Sequence, residues 1–349
     1  MPHRRLARRA WCALALVAVL LALVPTSPPV STGASAAEAA PLPQARRVTI
    51  GYVPNAAFAP VFVAYEKGYY REQGLDVTLE PLTGGADMAT QTAVGNFDVG
   101  TGGPGAGLFN ALARGINIVI TAPVSVVRTP NVAQLVASRA AYDRGEVRSI
   151  ADLRGKRVSI IARGAANDYY LDQALRRGGL TIWDIDLQVL PSPEAVAALA
   201  NDAIPAALIV EPFATEAVNR GVGVLLTDDY LENFIAIVMY FNEQFARQRR
   251  EDGIGVVTAL YKAARDLDPV YRDEDVAIIA QYTRLSPEVI RTAGRAYHDV
   301  SGDLHLADIE ELQRFVMARG EANYSEPLDL ARYVDPSFSE AALTRLGPR

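Results

Sequence analysis

Apolar positions along the chain alternate between short β-type runs and stretches of helical spacing. Residues 48–53 form a β-rich run ended by Pro54, and 60–67 keep a helical spacing up to Gly68. Residues 75–79 alternate as a strand, 86–94 predict a short helix stopped by Gly95, and 97–100 predict a short strand. Pro104 stands at a first helical turn, where its missing N–H does no harm. That helix ends at Gly115, and 116–121 read as a buried strand. The alternation resumes with a helical turn at 150–153 and strands at 157–162, 185–190, 206–210 and 222–226. Helices are predicted between them at 167–177, 193–200 and 216–220. From about Asn242 only helical periods remain, at 254–266, 275–284, 287–295 and 309–320.

Strands alternating with helices of this length imply an α/β class, with mostly parallel sheets flanked by helices. Two extended segments, 128–137 and 228–240, bracket the second α/β block. They predict two chain crossings, with lobe II (131–231) inserted in lobe I (47–130 plus 232–349). Ligand sites in open parallel sheets lie outside the carboxyl ends of strands, so a cleft between two such sheets is the expected site.

Charge separates the amino terminus from the rest. The 349 residues carry 34 Lys+Arg and 40 Asp+Glu, a formal charge of -6. Arg4, Arg5, Arg8 and Arg9 precede an unbroken apolar run of 14 at 11–24. That is short for a membrane span and has the length and flanks of a signal-peptide core. Small-residue patterns at 34–36 and 37–39 predict a signal peptide over 1–36, with cleavage as late as 39 as the second choice, and a leader over 37–46. A retained anchor is the alternative. Removing residues 1–36 takes four Arg and no acid, leaving 30 bases against 40 acids and a charge of -10. Such a chain does not suit nucleic acid, which needs a basic surface. Cys12, the one cysteine, leaves with the segment, and with it disulfides, thiol nucleophiles and Cys-ligated zinc. Cys12 also starts the apolar run instead of following it, so it is not placed for lipid attachment.

Some runs are more specific. Residues 50–60 (IGYVPNAAFAP), 64–70 (AYEKGYY) and 72–77 (EQGLDV) make an opening signature, continued by Gly84-Gly85 and Phe97-Asp98-Val99-Gly100. Residues 152–158 (DLRGKRV) and Glu211-Pro212 follow. Over about 47–338 the chain resembles the extracytoplasmic solute-binding proteins of ABC importers in the thiamine-pyrimidine, riboflavin and sulfonate group. It departs from many relatives at Ile204-Pro205-Ala206, where they carry an acidic residue before the strand leading to Glu-Pro. The resemblance implies a type II periplasmic-binding-protein fold with two lobes and a cleft. It also implies a small-molecule ligand, an ABC permease with its cytoplasmic ATPase as partner, and a monomer. The expected location is the periplasm or the outer face of the cytoplasmic membrane. No cofactor, metal or catalysis is expected.

Candidate ligand contacts lie at the strand ends. Asn55 and Phe58 follow the first strand, while Gly84-Gly85 and Thr101-Gly102-Gly103-Pro104-Gly105 lie between strand and helix. Glycines there either admit a ligand to the backbone or make tight turns. Asn167, Asp168 and Tyr169 open the matching helix of lobe II, where Asn167 and Asp168 either meet the ligand or cap the helix. Glu211 ends a buried strand as a cleft acceptor or a hinge-region salt-bridge partner. Two cleft-facing carboxylates would oppose an anion, with Arg128 and Arg163 able to reverse that locally. Phe58 and Tyr169 are the preferred stacking rings among Tyr52, Phe58, Tyr169, Tyr170, Phe213 and Tyr240, with Tyr52 and Phe213 assigned to packing. Trp183 reads as surface or inter-helix packing, and 308–311 (DIEE) as a solvated helix face. His298 and His305 lie in the helical tail, away from these ends, so a hydrolytic triad or metal site is not expected. The favoured ligand is a heteroaromatic vitamin or precursor, riboflavin first and a formylaminopyrimidine-type thiamine precursor next. The alternatives are an alkanesulfonate or similar anion, or an exported enzyme acting on a heterocycle.

Overall fold

The computed structural model describes residues 46–82, 87–161, 163, 166–293 and 295–348. The expected signal peptide, the leader up to residue 45, and the candidates Gly84 and Gly85 lie outside the described residues. Among the described residues ten strands occur in chain order: β1 (Arg46–Tyr52), β2 (Leu75–Pro81), β3 (Val99–Gly102), β4 (Ile118–Val127), β5 (Ala133–Ser138), β6 (Arg157–Ile160), β7 (Asp186–Val189), β8 (Ala206–Val210), β9 (Gly223–Thr227) and β10 (Phe234–Asn242). They form two five-stranded sheets, β2-β1-β3-β10-β4 and β7-β6-β8-β5-β9.

The directions of these strands position the site. In the first sheet β1 runs parallel to β2 and β3, and β10 runs antiparallel to both β3 and β4. In the second, β6 runs parallel to β7 and β8, and β5 runs antiparallel to both β8 and β9. Four of the five strands in each sheet therefore point one way, and the reversed one is a strand entered by a crossing. The chain leaves the carboxyl end of β4 and enters the second sheet as β5; it leaves the carboxyl end of β9 and returns as β10. A short crossing joins neighbouring edges, so each entering strand must start where the others end. Both crossings thus lie on the carboxyl side of both sheets.

Helices cover the faces. They are α1 (Ala59–Glu66), α2 (Tyr69–Glu72), α3 (Met88–Ala93) and α4 (Ala106–Ala113) in the first block. The second block has α5 (Arg139–Asp143), α6 (Ala166–Arg176), α7 (Ser192–Ala200) and α8 (Phe213–Asn219). The tail adds α9 (Glu243–Gln248), α10 (Arg250–Asp266), α11 (Asp273–Thr283), α12 (Pro287–Thr292), α13 (Leu306–Ala318) and α14 (Ser337–Leu346). On one face of the first sheet, Phe62 and Val63 of α1 pack with Val256, Leu260 and Tyr261 of α10. The other face leaves no room at Gly100, where a Cβ would strike Thr92 Oγ1 of α3 and the Tyr240 ring. A second cluster runs through both lobes, from Phe109 and Ile120 to Leu135 and Ile160, and includes Tyr169, Phe234 and Ile309.

The crossings are tied to each other. Asn131 is fully buried between them; its Oδ1 accepts from Tyr230 N (2.9 Å) and Leu231 N (3.1 Å), and its Nδ2 donates to Leu231 O (2.8 Å). The Tyr230 hydroxyl donates to Ala133 O at 2.6 Å. One buried amide thus satisfies three backbone groups that no sheet would pair.

Candidate functional site

The parallel register sets β1, β2 and β3 level at their carboxyl ends: Tyr52 pairs with Pro81, and Gly51 with Gly100. Asn55 lies just beyond, exposed, with its Oδ1 accepting from Ala57 N at 2.9 Å as the cap of the 3-10 turn Ala56–Phe58. Phe58 closes that turn, but its ring is 3% exposed in the first lobe's core, so it is a packing residue here and not a free stacking face. The strand expected at 97–100 is observed at Val99–Gly102, two residues later. This moves Thr101 and Gly102 from the expected loop into β3. Thr101 is fully buried and its Oγ1 donates to Gly51 O at 2.8 Å, which ties β3 to β1. Gly102 and Gly103 sit against β10: a Cβ would lie 3.2 Å from Tyr240 Oη at Gly102 and 3.2 Å from Ala236 O at Gly103.

In the second sheet β6 and β8 run side by side, with Val158 opposite Ala206. Beyond β6, Arg163 is exposed and donates to Leu187 O at 2.8 Å. Asn167 and Asp168 fall in the first turn of α6, Asn167 half-buried and Asp168 1% exposed. Asp168 Oδ1 lies 3.6 Å from Arg319 Nη2. Glu211 follows β8, and its carboxylate accepts from Gln134 Nε2 (2.8 Å), Thr215 N (3.0 Å) and Thr215 Oγ1 (2.8 Å). Among the described residues Glu211 has no ion pair, so the hinge-region salt bridge is not formed, and its hydrogen bonds stay within its own lobe.

Tyr169 joins the lobes. Its ring stacks on Phe234 at the start of β10 (5.0 Å, 21°) and meets the edge of Phe315 of α13 (5.3 Å), while its hydroxyl donates to Glu311 Oε1 at 2.5 Å. Burial and the Glu311 carboxylate both push this phenol up, so it stays a donor. Tyr169, Glu311 and Phe315 also line a groove of about 420 Å³ between α6 and α13, with Asp172, Arg176 and Arg314. Sequence reasoning missed Phe234, Phe315, Glu311 and Arg319. The i, i+4 pair Glu311 and Phe315 was the available signal, but the period of α13 alone does not say which lobe its polar face meets.

The tail charges need correction. Residues 308–311, expected as a solvated face, are partly engaged: Asp308 Oδ2 accepts from Ile235 N (3.0 Å) and lies 3.2 Å from His305 Nδ1, and Glu311 holds Tyr169. His305 Nε2 meets Asp299 Oδ2 at 2.7 Å, and these two carboxylates raise the imidazole to about 9. His298 is pushed down to about 3, first by burial and then by Arg295. Neither His lies beside Asn55, Gly103 or Glu211 in the contacts described. No group of three or more His, Cys, Asp or Glu placed to hold a metal occurs among the described residues, and no helix among them is long and apolar enough to cross a membrane.

Known proteins resemble this chain in sequence or in fold. The riboflavin-binding protein RibY of Chloroflexus aurantiacus is 29% identical over 229 residues, covering 62% of this chain and 62% of that protein, so the match spans less than two thirds of the relative. The structure of the periplasmic aliphatic sulphonate binding protein SsuA from Escherichia coli overlays with a TM-score of 0.68 at 19% identity, over 84% of this chain and 92% of that one. The desulfurization enzyme DSZB also overlays, with a TM-score of 0.59 at 18% identity, over 86% of this chain and 99% of that one. The fold is that of periplasmic binding proteins, two lobes each built on one mixed sheet. The model of the NMT1-like family matches residues 42–283, and the chain belongs to that family.

Proposed function

We propose that the chain is the extracytoplasmic solute-binding component of an ABC import system. It captures a small ligand between its lobes and presents the closed form to a membrane permease, whose ATPase works on the cytoplasmic side. The observation that carries this reading is the pair of reversed strands, β5 and β10, each entered from a chain crossing, which puts both crossings at the carboxyl ends of the other strands, where a cleft between the sheets would open. Ligand contacts from both edges then favour closure over the two crossings as hinge. Residues 1–36 are the export signal in this reading, and the protein acts as a monomer outside the cytoplasmic membrane.

The ligand we favour is a flat heteroaromatic vitamin, riboflavin ahead of a formylaminopyrimidine-type precursor. RibY's name supports this choice; Tyr169 and Phe234, 3% and 6% exposed, pack on each other at the lobe junction and act as framework, not as a free stacking face. Asn55, Gly102, Gly103 and Asn167 supply polar and backbone contacts from the two edges, with Gly84-Gly85 completing the first. Thr101 and Glu211 act as the frame, since their polar atoms are already used. An alkanesulfonate is the second reading. Asp168 stands beside the Arg319 guanidinium, so this carboxylate does not oppose an anion by itself. No bond is made or broken in either case. A riboflavin titration tests the first choice: quenched flavin emission and a raised melting temperature are expected. Unquenched emission with stabilisation by an alkanesulfonate selects the second, and steady conversion of the bound molecule would replace binding with catalysis.

A further inference from the structure

Helix α13 is held to the first lobe by backbone groups. Asp308 accepts from Ile235 N of β10 (3.0 Å), and Asn110 of α4 donates to Glu321 O (2.9 Å) and accepts from Asn323 N (2.8 Å) just after the helix. Toward α6 and the 3-10 turn Ile182–Asp184 of the second lobe, α13 and the residue after it reach with side chains. Glu311 takes the Tyr169 hydroxyl at 2.5 Å and Phe315 takes the ring edge at 5.3 Å. Arg319, 9% exposed, stands 3.6 Å from Asp168 Oδ1 and 4.7 Å over the Trp183 ring. Trp183 moves with α6, because Ile182 N donates to Asp172 Oδ1 at 2.9 Å. Separation of the lobes by a few ångströms would end these contacts while both chain crossings stayed intact. Glu321, two residues on, also lies 3.8 Å from Arg319 Nε, and a guanidinium held in poor contact with water attracts Asp168 and the indole across the junction more strongly than a solvated one does.

We propose that Arg319 is a positioning residue: with Tyr169–Glu311 beside it, it latches α6 to α13 and draws the lobes together before any ligand binds. The ligand-free protein then spends part of its time closed, and apparent affinity rises with that fraction. The inference rests on the two-lobe capture reading only in taking the lobes to move apart.

Small-angle X-ray scattering of the ligand-free full chain tests it, with Arg319→Met, Arg319→Lys and Tyr169→Phe beside the wild type. Arg319→Met and Tyr169→Phe are expected to give a larger radius of gyration than the wild type at unchanged circular dichroism. Arg319→Lys, which keeps the cation, should fall between. If Arg319→Met does not fold, Tyr169→Phe, which removes one hydroxyl, decides alone. Equal radii for the wild type and every folded variant overturn the latch, whether or not riboflavin binds. Failure of riboflavin and alkanesulfonates to bind the wild type would instead remove the capture reading and leave the scattering result standing.

Discussion

His305 lies between the carboxylates of Asp299 and Asp308, so its charge is part of the fold. Its imidazole is raised from 6.5 to about 9 in the folded chain. That sign means the stabilisation is complete below about 6.5 and is lost as pH rises through about 9. Burial alone would raise Asp299, but His305 and Ser301 outweigh it and hold the carboxyl below its ordinary value. The Asp299 contribution is therefore present above the ordinary carboxylate range and lost as pH falls through the lowered value. The melting temperature should drop between pH 7 and pH 10 in the wild type, and His305→Gln should be less stable at pH 7 and flatter over that interval. A pH series by calorimetry checks both. Glu211 gives a second residue-level test. Its three hydrogen bonds stay in the second lobe, so Glu211→Gln should cost about 1–2 kcal/mol in urea unfolding while ligand affinity changes little. Residue identity showed that Glu211 and Phe58 stand at strand ends. It did not show their partners, because Gln134 lies 77 positions from Glu211 and the Phe58 ring is covered by elements distant in sequence.

Among the elements, β8 was legible to the residue, since five apolar residues between Pro205 and Glu211 leave little choice. β4 was expected at 116–121 and runs over Ile118–Val127, because Pro123 looks like a breaker but β10 pairs on past it through shifted register. α14 went unread, as its apolar face is short and meets α10, a helix some 80 positions earlier. The crossings were visible as extended segments, yet their lock was not, because nothing about Asn131 in the sequence marks it as buried. Asn131→Ala should leave Tyr230 N, Leu231 N and Leu231 O unpaired in a dry setting, at about 2–4 kcal/mol in total. Chemical denaturation measures that cost. Asn131→Asp keeps the acceptor and loses the donor, so it should fall between.

The whole molecule turns on one topological fact. Each sheet has a single reversed strand, each reversed strand is entered from a crossing, and so both crossings lie at the carboxyl ends of the other strands. Alternating strand and helix signals made this arrangement legible as a class, and the family match covers most of it. The ligand was less legible, since the candidate contacts come from segments as far apart as Asn55 and Asn167. Isothermal titration calorimetry of the purified protein with riboflavin, a thiamine-precursor pyrimidine and an alkanesulfonate tests capture between the lobes most directly. The account predicts one saturable 1:1 isotherm, with riboflavin the expected ligand and the molecule recovered unchanged. Flat traces for all three, or recovery of a converted product, would contradict it.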